Sequence, residues 1–230
     1  MRIRNLAALA ATLVSSLLLA GMANAEAYYE VTVTNITKGM TFTPIVVATT
    51  RNGDKFFRLG EPASEALEII AETGNPEPLQ NSLDAFDISN SSFLPFLAPG
   101  ESVTQLVETR GRYRSISIAS MLIPSNDTFF AVNGVRGPRG NKSITFTVPA
   151  YDAGSELNDE LCVSLPGPGC NGDPGPVSAN GEGYVYISNG IRGIGDLDAA
   201  LLDWKNPVAQ ITITRIGRHD KDEDSDSDSH

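Results

Sequence analysis

Apolar and polar residues alternate along several short segments of the chain, with the period of two that is typical of half-buried β-strands. The alternation is clearest in residues 28–36 (YYEVTVTNI) and 208–216 (VAQITITRI). Between these segments, similar patterns predict strands at 42–50, 102–109, 114–122, 129–132, 143–148 and 183–187. Clusters of Gly, Pro, Asn and Asp separate the strands as turns. This number of short strands predicts a β-sandwich.

One segment has the period of a helix instead. Residues 62–72 carry an apolar stripe formed by Ala66, Leu67, Ile69 and Ile70. Ser64 is a candidate N-cap, and Gly74 is a C-terminal stop signal. We therefore predict one helix that covers an edge or an end of the sandwich.

The first 25 residues have the three-part layout of a secretory signal peptide. Arg2 and Arg4 form the basic region, residues 6–20 form an apolar run, and residues 23–25 (ANA) form a small-residue cleavage site. A retained membrane anchor is the alternative, but the run is shorter than the roughly 20 residues that span a bilayer. We therefore predict cleavage after residue 25, no membrane span in the mature chain, and a secreted, periplasmic or cell-surface location.

The charge is strongly acidic and uneven. The chain has 17 basic and 28 acidic residues, a net charge of −11 at pH 7, and removal of the leader would make it more negative. Phosphate repulsion argues against nucleic-acid binding, whereas cations would be attracted. Residues 219–230 are rich in Asp and Ser and are predicted to be a disordered tail, which leaves 26–218 as a single domain.

The two cysteines, Cys162 and Cys170, lie in a loop rich in Pro and Gly. In an oxidising compartment a local disulfide is the favoured interpretation, with two free thiols as the alternative. The spacing C-x7-C is not a zinc signature, and no histidine lies nearby.

Both histidines, His219 and His230, belong to the acidic tail. The predicted domain therefore has no imidazole for a Ser-His-Asp or Cys-His site, or for a histidine-containing zinc site. We predict that the protein is not an enzyme. A hydrolase that works with a pair of carboxylates and no histidine remains an alternative.

Three acidic residues, Glu108, Asp127 and Asp152, stand at predicted strand ends or in loops. We expect strands 102–109 and 114–122 to be antiparallel neighbours or close companions. Carboxylates that converge on loops of a sandwich form the all-oxygen environment that Ca²⁺ prefers. From spacing alone, ordinary solvated loop carboxylates remain the simpler interpretation.

Four segments, in order, resemble the spondin N-terminal domain family. They are residues 63–68 (ASEALE), 120–132 (SMLIPSNDTFFAV), 151–155 (YDAGS) and 206–212 (NPVAQIT). The resemblance extends over roughly residues 28–216. It implies an all-β, C2-like antiparallel sandwich with one or two short helices and long loops.

The resemblance also implies a Ca²⁺ site. The family's calcium-binding Asp of the Pro-Ser-x-Asp motif matches Asp127, and that of the Tyr-Asp-Ala-Gly motif matches Asp152. Its third acid matches Glu108. Glu156 and Asp159 are either additional ligands or surface acids, and we favour the surface.

The implied function is that of a secreted, calcium-binding module for adhesion or for binding an extracellular or envelope protein or glycan. A purely structural surface protein is a further alternative to the hydrolase. The sequence does not distinguish the partner.

Overall fold

A computed structural model describes residues 26–88, 96–170, 172 and 180–216. The predicted signal peptide (1–25) and the whole of the predicted tail (219–230) lie outside these residues. The described chain forms eleven strands and three helices: β1 (Ala27–Asn35), β2 (Thr41–Phe42), β3 (Val46–Arg51), α1 (Glu65–Thr73), α2 (Glu77–Ser82), β4 (Ala85–Ile88), β5 (Ser102–Thr109), β6 (Tyr113–Ile123), β7 (Thr128–Arg136), β8 (Ser143–Val148), β9 (Ala150–Asp152), β10 (Tyr186–Ile187), α3 (Ala199–Leu202) and β11 (Ala209–Ile216).

The strands form two antiparallel sheets, as the sandwich prediction requires. One sheet has four strands in the order β5-β1-β11-β8. The other has seven, with β10-β9-β7-β6-β3-β4 in line and β2 paired with β6. The first and last strands of the domain, β1 and β11, pair along eight residues, from Tyr28 opposite Ile216 to Asn35 opposite Ala209.

Two hydrophobic cores lie on opposite faces of the seven-stranded sheet. The first core fills the space between the sheets and includes Val31, Ile116, Phe130 and Ile211. The second lies on the other face, where α1 and the segment around Phe57 cover the sheet. Because both faces are covered, β6 is buried along most of its length and does not alternate with solvent.

Helix α1 forms where the sequence predicts it. The Ser64 side chain accepts a hydrogen bond from the Leu67 amide, which caps the N-terminus, and Gly74 ends the helix with a left-handed φ of 70°. Leu67, Ile70 and Ala71 are buried in the second core. No helix among the described residues is long and apolar enough to cross a bilayer.

The strand predictions hold with four exceptions. The predicted strand 42–50 is two strands, β2 and β3, with Pro44 in the break between them. Only the last two residues of the predicted strand 183–187 are extended. The predicted strand 129–132 is the start of a longer strand, Thr128–Arg136. The fourth exception concerns pairing: β5 and β6 belong to different sheets, because β5 pairs with β1 while β6 pairs with β2, β3 and β7.

The structure also contains four elements that the sequence patterns did not indicate, namely α2, β4, β9 and α3. None is longer than six residues, so none carries enough periodicity to be read from the sequence. The predicted disulfide is confirmed, since Cys162 and Cys170 are bonded.

Candidate functional site

Two of the three predicted ligands meet at one end of the seven-stranded sheet. Asp127 closes the turn between β6 and β7, and Asp152 is the last residue of β9. Strand β9 pairs with β7 so that Asp152 lies opposite Thr128, and the Ala153 amide donates to the Asp127 carbonyl at 3.1 Å. Both aspartates are almost completely buried, with exposures of 0% and 2%.

The Asp127 carboxylate is held on one side only. Its Oδ2 atom accepts hydrogen bonds from the amides of Ser155, at 2.8 Å, and Glu156, at 3.1 Å. The Ser155 hydroxyl is also within 3.3 Å of that atom. The other oxygen, Oδ1, is buried and has no hydrogen-bond partner among the described residues. A buried carboxylate oxygen without a partner carries a large desolvation cost.

Asp152, by contrast, uses both oxygens. Oδ1 accepts from the Gly154 amide at 2.9 Å, and Oδ2 accepts from the Asn158 side-chain amide at 2.9 Å. The same Asn158 group contacts the Tyr186 hydroxyl at 3.1 Å. Asp152 also lines a small cavity of about 40 Å³, together with Glu182, Tyr186 and Arg192 among others.

Gly154 makes the sharp turn after Asp152 possible. Its φ of 67° is in the left-handed region, which favours glycine. A Cβ atom at this position would collide with the Tyr184 carbonyl oxygen. The turn brings Ser155 and Glu156 back over the Asp127 carboxylate, so the local sequence YDAGSE builds this side of the site.

Two buried glutamates outside the three predicted ligands are linked to Asp127 through their charges, since Glu156 acts on Asp127 and Glu72 acts on Glu156. Glu156 is only 8% exposed, and its Oε2 has no hydrogen-bond partner among the described residues. The expectation that Glu156 is a surface acid is therefore wrong. Glu72, in the last turn of α1, is 0% exposed, and neither of its carboxylate oxygens has a partner there.

Burial raises the pKa of each of these four carboxylates, and in three of them the charge of another member of the group adds to the rise. Burial, followed by the charge of Asp127, raises the pKa of Asp152 to about 7. Burial raises the pKa of Asp127 to about 6 against its backbone hydrogen bonds, and Glu156 adds to the rise. Burial and then the charge of Glu72 raise the pKa of Glu156 to about 7. Burial also raises the pKa of Glu72, which the nearby Ser155 hydroxyl offsets in part.

Among the described residues, no ion pair includes any of these four acids. The charges that shift their pKa values are those of other carboxylates. Buried like charges of this kind favour either protonation or the binding of a cation.

Glu108 is not brought to this end of the molecule. It lies on β5, opposite Tyr28, where its amide donates to Asp87 at 2.6 Å. Burial and then contact with Glu26 raise its pKa, and Arg110 counteracts the rise. Glu108 lies near the start of β6, because the amide of Arg110 donates a hydrogen bond to the carbonyl of Tyr113, the first residue of β6. Asp127 comes after the end of β6 at Ile123. The 11 residues of β6 span roughly 30 Å, so Glu108 and Asp127 belong to opposite ends of the sandwich.

Within the described ranges, no three Asp, Glu, His or Cys side chains are arranged as a ready-made metal site. Neighbouring carboxylates are therefore present near Asp127, but they do not form a closed ligand shell. A larger cavity of about 290 Å³ lies elsewhere, between the turn at Asp54 and the end of α2 at Ser82, and contains none of the predicted ligands.

Asp159, the other acid considered as an additional ligand, is half-buried, and its carboxylate already accepts hydrogen bonds. Its Oδ1 accepts hydrogen bonds from the Asn126 side chain at 3.2 Å and from the Leu161 amide at 3.0 Å. These bonds hold the 158–161 loop against the β6–β7 turn.

One sequence feature could have drawn attention to Glu72. The last turn of α1 contains no basic residue, and Glu72 places a negative charge at the negative end of the helix dipole. An acid in that position is unfavourable unless something positive lies close to it. Glu156 carries no comparable signal, because its burial depends on the turn at Gly154.

Comparison with models of known protein families finds no match to this chain, and no curated protein gives a significant sequence match. The resemblance to the spondin N-terminal domain therefore remains a prediction that is carried by the four sequence segments.

Proposed function

We propose that the protein is a calcium-binding β-sandwich module that works outside the cytoplasm. The observation that supports the proposal is the concentration of buried carboxylates around Asp127. In the described part of the chain, several of their oxygens lack hydrogen-bond partners and none of these acids is in an ion pair. A bound divalent cation would neutralise the repulsion between these carboxylates and tie α1, the β6–β7 turn and the segment after β9 to one point.

The donor atoms at this end of the sheet favour Ca²⁺ over the transition metals. The unpartnered groups are carboxylate oxygens, and the nearby hydroxyl and backbone carbonyl groups are also oxygen donors. Hard oxygen ligands with flexible geometry suit Ca²⁺, whereas zinc and copper sites are built mainly from nitrogen and sulfur. The cysteines do not compete, since both are in the disulfide.

The location follows from two independent features. The first 25 residues have the layout of a signal peptide, and the Cys162–Cys170 disulfide is of the kind that persists in oxidising compartments. Extracellular and periplasmic spaces also supply the calcium concentrations that weak oxygen sites require.

As the partner of the module we propose an extracellular or envelope protein or glycan, on the basis of the spondin resemblance. Binding of the purified protein to a glycan array and to immobilised envelope proteins, with calcium and with EGTA, tests this part. Calcium-dependent binding to one defined component is the expected result, and equal binding under both conditions would contradict a calcium-dependent module.

Thermal unfolding tests the calcium proposal itself. At a calcium concentration 100 times the Kd, binding adds about 2.7 kcal/mol to stability. For a domain of this size, that corresponds to a rise in Tm of roughly 5–10 °C relative to EGTA. Asp127→Asn should abolish most of the rise, whereas Asp54→Asn, an exposed acid that pairs with Arg51, should keep it. An unchanged Tm of the wild type in millimolar Ca²⁺ would overturn the proposal.

A further inference from the structure

We infer that the cation ligands of this protein are Glu72, Asp127 and Glu156, and that Glu108 is not a ligand. The inference rests on the proposed calcium function and specifies its ligand set. It keeps Asp127 from the predicted set and replaces Glu108 and Asp152 with Glu72 and Glu156.

The position of Glu72 is the first reason. Its carboxylate is completely buried at the C-terminal end of a nine-residue helix, beside the negative end of the helix dipole. Neither oxygen has a hydrogen-bond partner among the described residues. Every one of these features is unfavourable for a lone carboxylate, and a bound cation would compensate for each of them.

The number of unpartnered oxygens is the second reason. The Oδ2 atom of Asp127 accepts from backbone amides, whereas its Oδ1 atom and the Oε2 atom of Glu156 have no partner among the described residues. With the two oxygens of Glu72, four buried carboxylate oxygens are available from three side chains. The charge of Glu72 acts on Glu156, and the charge of Glu156 acts on Asp127. Calcium takes six to eight oxygen ligands, so water or backbone carbonyl groups would complete the shell.

Asp152 has a different role in this arrangement. Both of its oxygens are occupied, one by the Gly154 amide and the other by Asn158. It therefore acts as a positioning residue: it fixes the turn that carries Ser155 and Glu156 toward Asp127. Asp152 also adds negative charge behind Asp127, which increases the attraction for a cation.

The three side chains must move closer to form a shell, since they are not arranged as one in the structure. Glutamate has three side-chain torsions. Both oxygens of Glu72 and the Oε2 atom of Glu156 have no hydrogen-bond partner among the described residues, so these three oxygens are available to a cation. Asp127 is the fixed member, because three donors hold its Oδ2. Glu108 could not join by rotation, since roughly 30 Å of β6 separates the two ends.

Isothermal titration of the full mature chain with Ca²⁺ alone distinguishes the two ligand sets. The variants Glu72→Gln, Glu156→Gln and Glu108→Gln each remove one negative charge, so they are matched for net charge. We expect Glu72→Gln and Glu156→Gln to weaken calcium binding at least tenfold, and Glu108→Gln to change the Kd less than twofold. Circular dichroism spectra establish that each variant is folded, and Glu72→Asp provides a second test if Glu72→Gln does not fold.

The outcomes separate this inference from the proposed function. If the wild type binds Ca²⁺ but only Glu108→Gln weakens it, the ligand assignment is overturned and the calcium function stands. The assignment is also overturned if Glu72→Gln and Glu156→Gln, or Glu72→Asp in place of the first, bind as the wild type does. If the wild type shows no binding at millimolar Ca²⁺, the proposed function fails and the assignment fails with it.

Discussion

At the scale of single residues, the most unusual feature is a group of carboxylates that are buried but not paired. Glu72 and Asp127 are fully buried, and three of their four oxygens have no hydrogen-bond partner among the described residues. Folding normally places such groups in water or beside a positive charge. The sequence shows the acids but not their burial, because burial depends on how α1 and the Gly154 turn pack against the sheet.

Neutralising Glu72 should therefore stabilise the metal-free protein. We expect Glu72→Gln to raise the free energy of unfolding by about 1 kcal/mol at pH 8 in EGTA. Glutamine has nearly the same shape as glutamate, and the change removes an uncompensated buried charge. The gain should shrink at pH 5, where the raised pKa leaves more of the wild-type carboxyl group protonated. Urea unfolding at both pH values measures this, and a loss of stability at pH 8 would show that the Glu72 charge is already compensated.

Gly154 should be sensitive to any side chain. Its positive φ and the Tyr184 carbonyl next to its Cα both oppose a Cβ atom, so we expect Gly154→Ala to destabilise by about 3 kcal/mol and to weaken calcium binding. Gly53→Ala is the matched control, because Gly53 has a φ of 98° but no atom near the position of a Cβ. Its cost should be about 1 kcal/mol. Equal effects of the two changes in denaturant unfolding would contradict the role of the Tyr184 contact.

At the scale of elements, the local pattern predicted strands well and their partners poorly. The strands 102–109 and 143–148 were predicted to the residue, and β1, β6 and β11 to within one residue at each end. The expected pairing of β5 with β6 did not form, because β6 is the buried centre of one sheet and β5 is an edge strand of the other. Alternation within a strand does not specify its neighbours. Glu108 was grouped with Asp127 through the family resemblance, and the two residues lie on different sheets.

A third buried glutamate shows how the loops beside the site are held. Glu160 is 3% exposed and has a left-handed φ of 57°. Its carboxylate accepts hydrogen bonds from the amides of Arg192 at 2.6 Å, Gly193 at 2.7 Å and Ile194 at 3.0 Å. Unlike Glu72, it is fully satisfied, so it fastens the loop at 192–194 to the segment that follows Glu156.

Loss of these three bonds should loosen the loop without moving the sheets. We expect Glu160→Ala to destabilise by about 2 kcal/mol, because hydrogen bonds to a charged group are among the stronger ones. Hydrogen–deuterium exchange of residues 190–196 should accelerate at least tenfold, while exchange in β6 changes only with global stability. Glu61→Gln, an exposed acid that pairs with Arg58, should have neither effect. Unchanged exchange at 192–194 in Glu160→Ala would contradict the role of Glu160 in holding this loop.

At the scale of the whole molecule, the cluster should make stability depend on pH in an unusual direction. Asp152 and Glu156 have folded-state pKa values of about 7, well above their ordinary values, since burial disfavours the charged forms. Between about pH 4 and pH 7 the folded state therefore binds more protons than the unfolded state. Stability must then fall as the pH rises through this window.

We accordingly expect the metal-free protein to have a higher Tm at pH 5 than at pH 8. Saturating Ca²⁺ should remove or reverse the difference, because the cation requires deprotonated ligands and competes with protons. Differential scanning calorimetry in EGTA and in Ca²⁺ measures both curves. A metal-free Tm that rises steadily from pH 5 to pH 8 would show that the buried carboxylates do not dominate the pH dependence.

The most direct test of the ligand set is a crystal structure of the mature protein grown in the presence of calcium. We expect one Ca²⁺ ion at the end of the seven-stranded sheet, within about 2.3–2.6 Å of oxygens from Glu72, Asp127 and Glu156. We also expect Glu108 to lie at the opposite end of β6, with no ion beside it. An ion coordinated by Glu108, or three carboxylates unchanged around an empty space in saturating calcium, would contradict this ligand set.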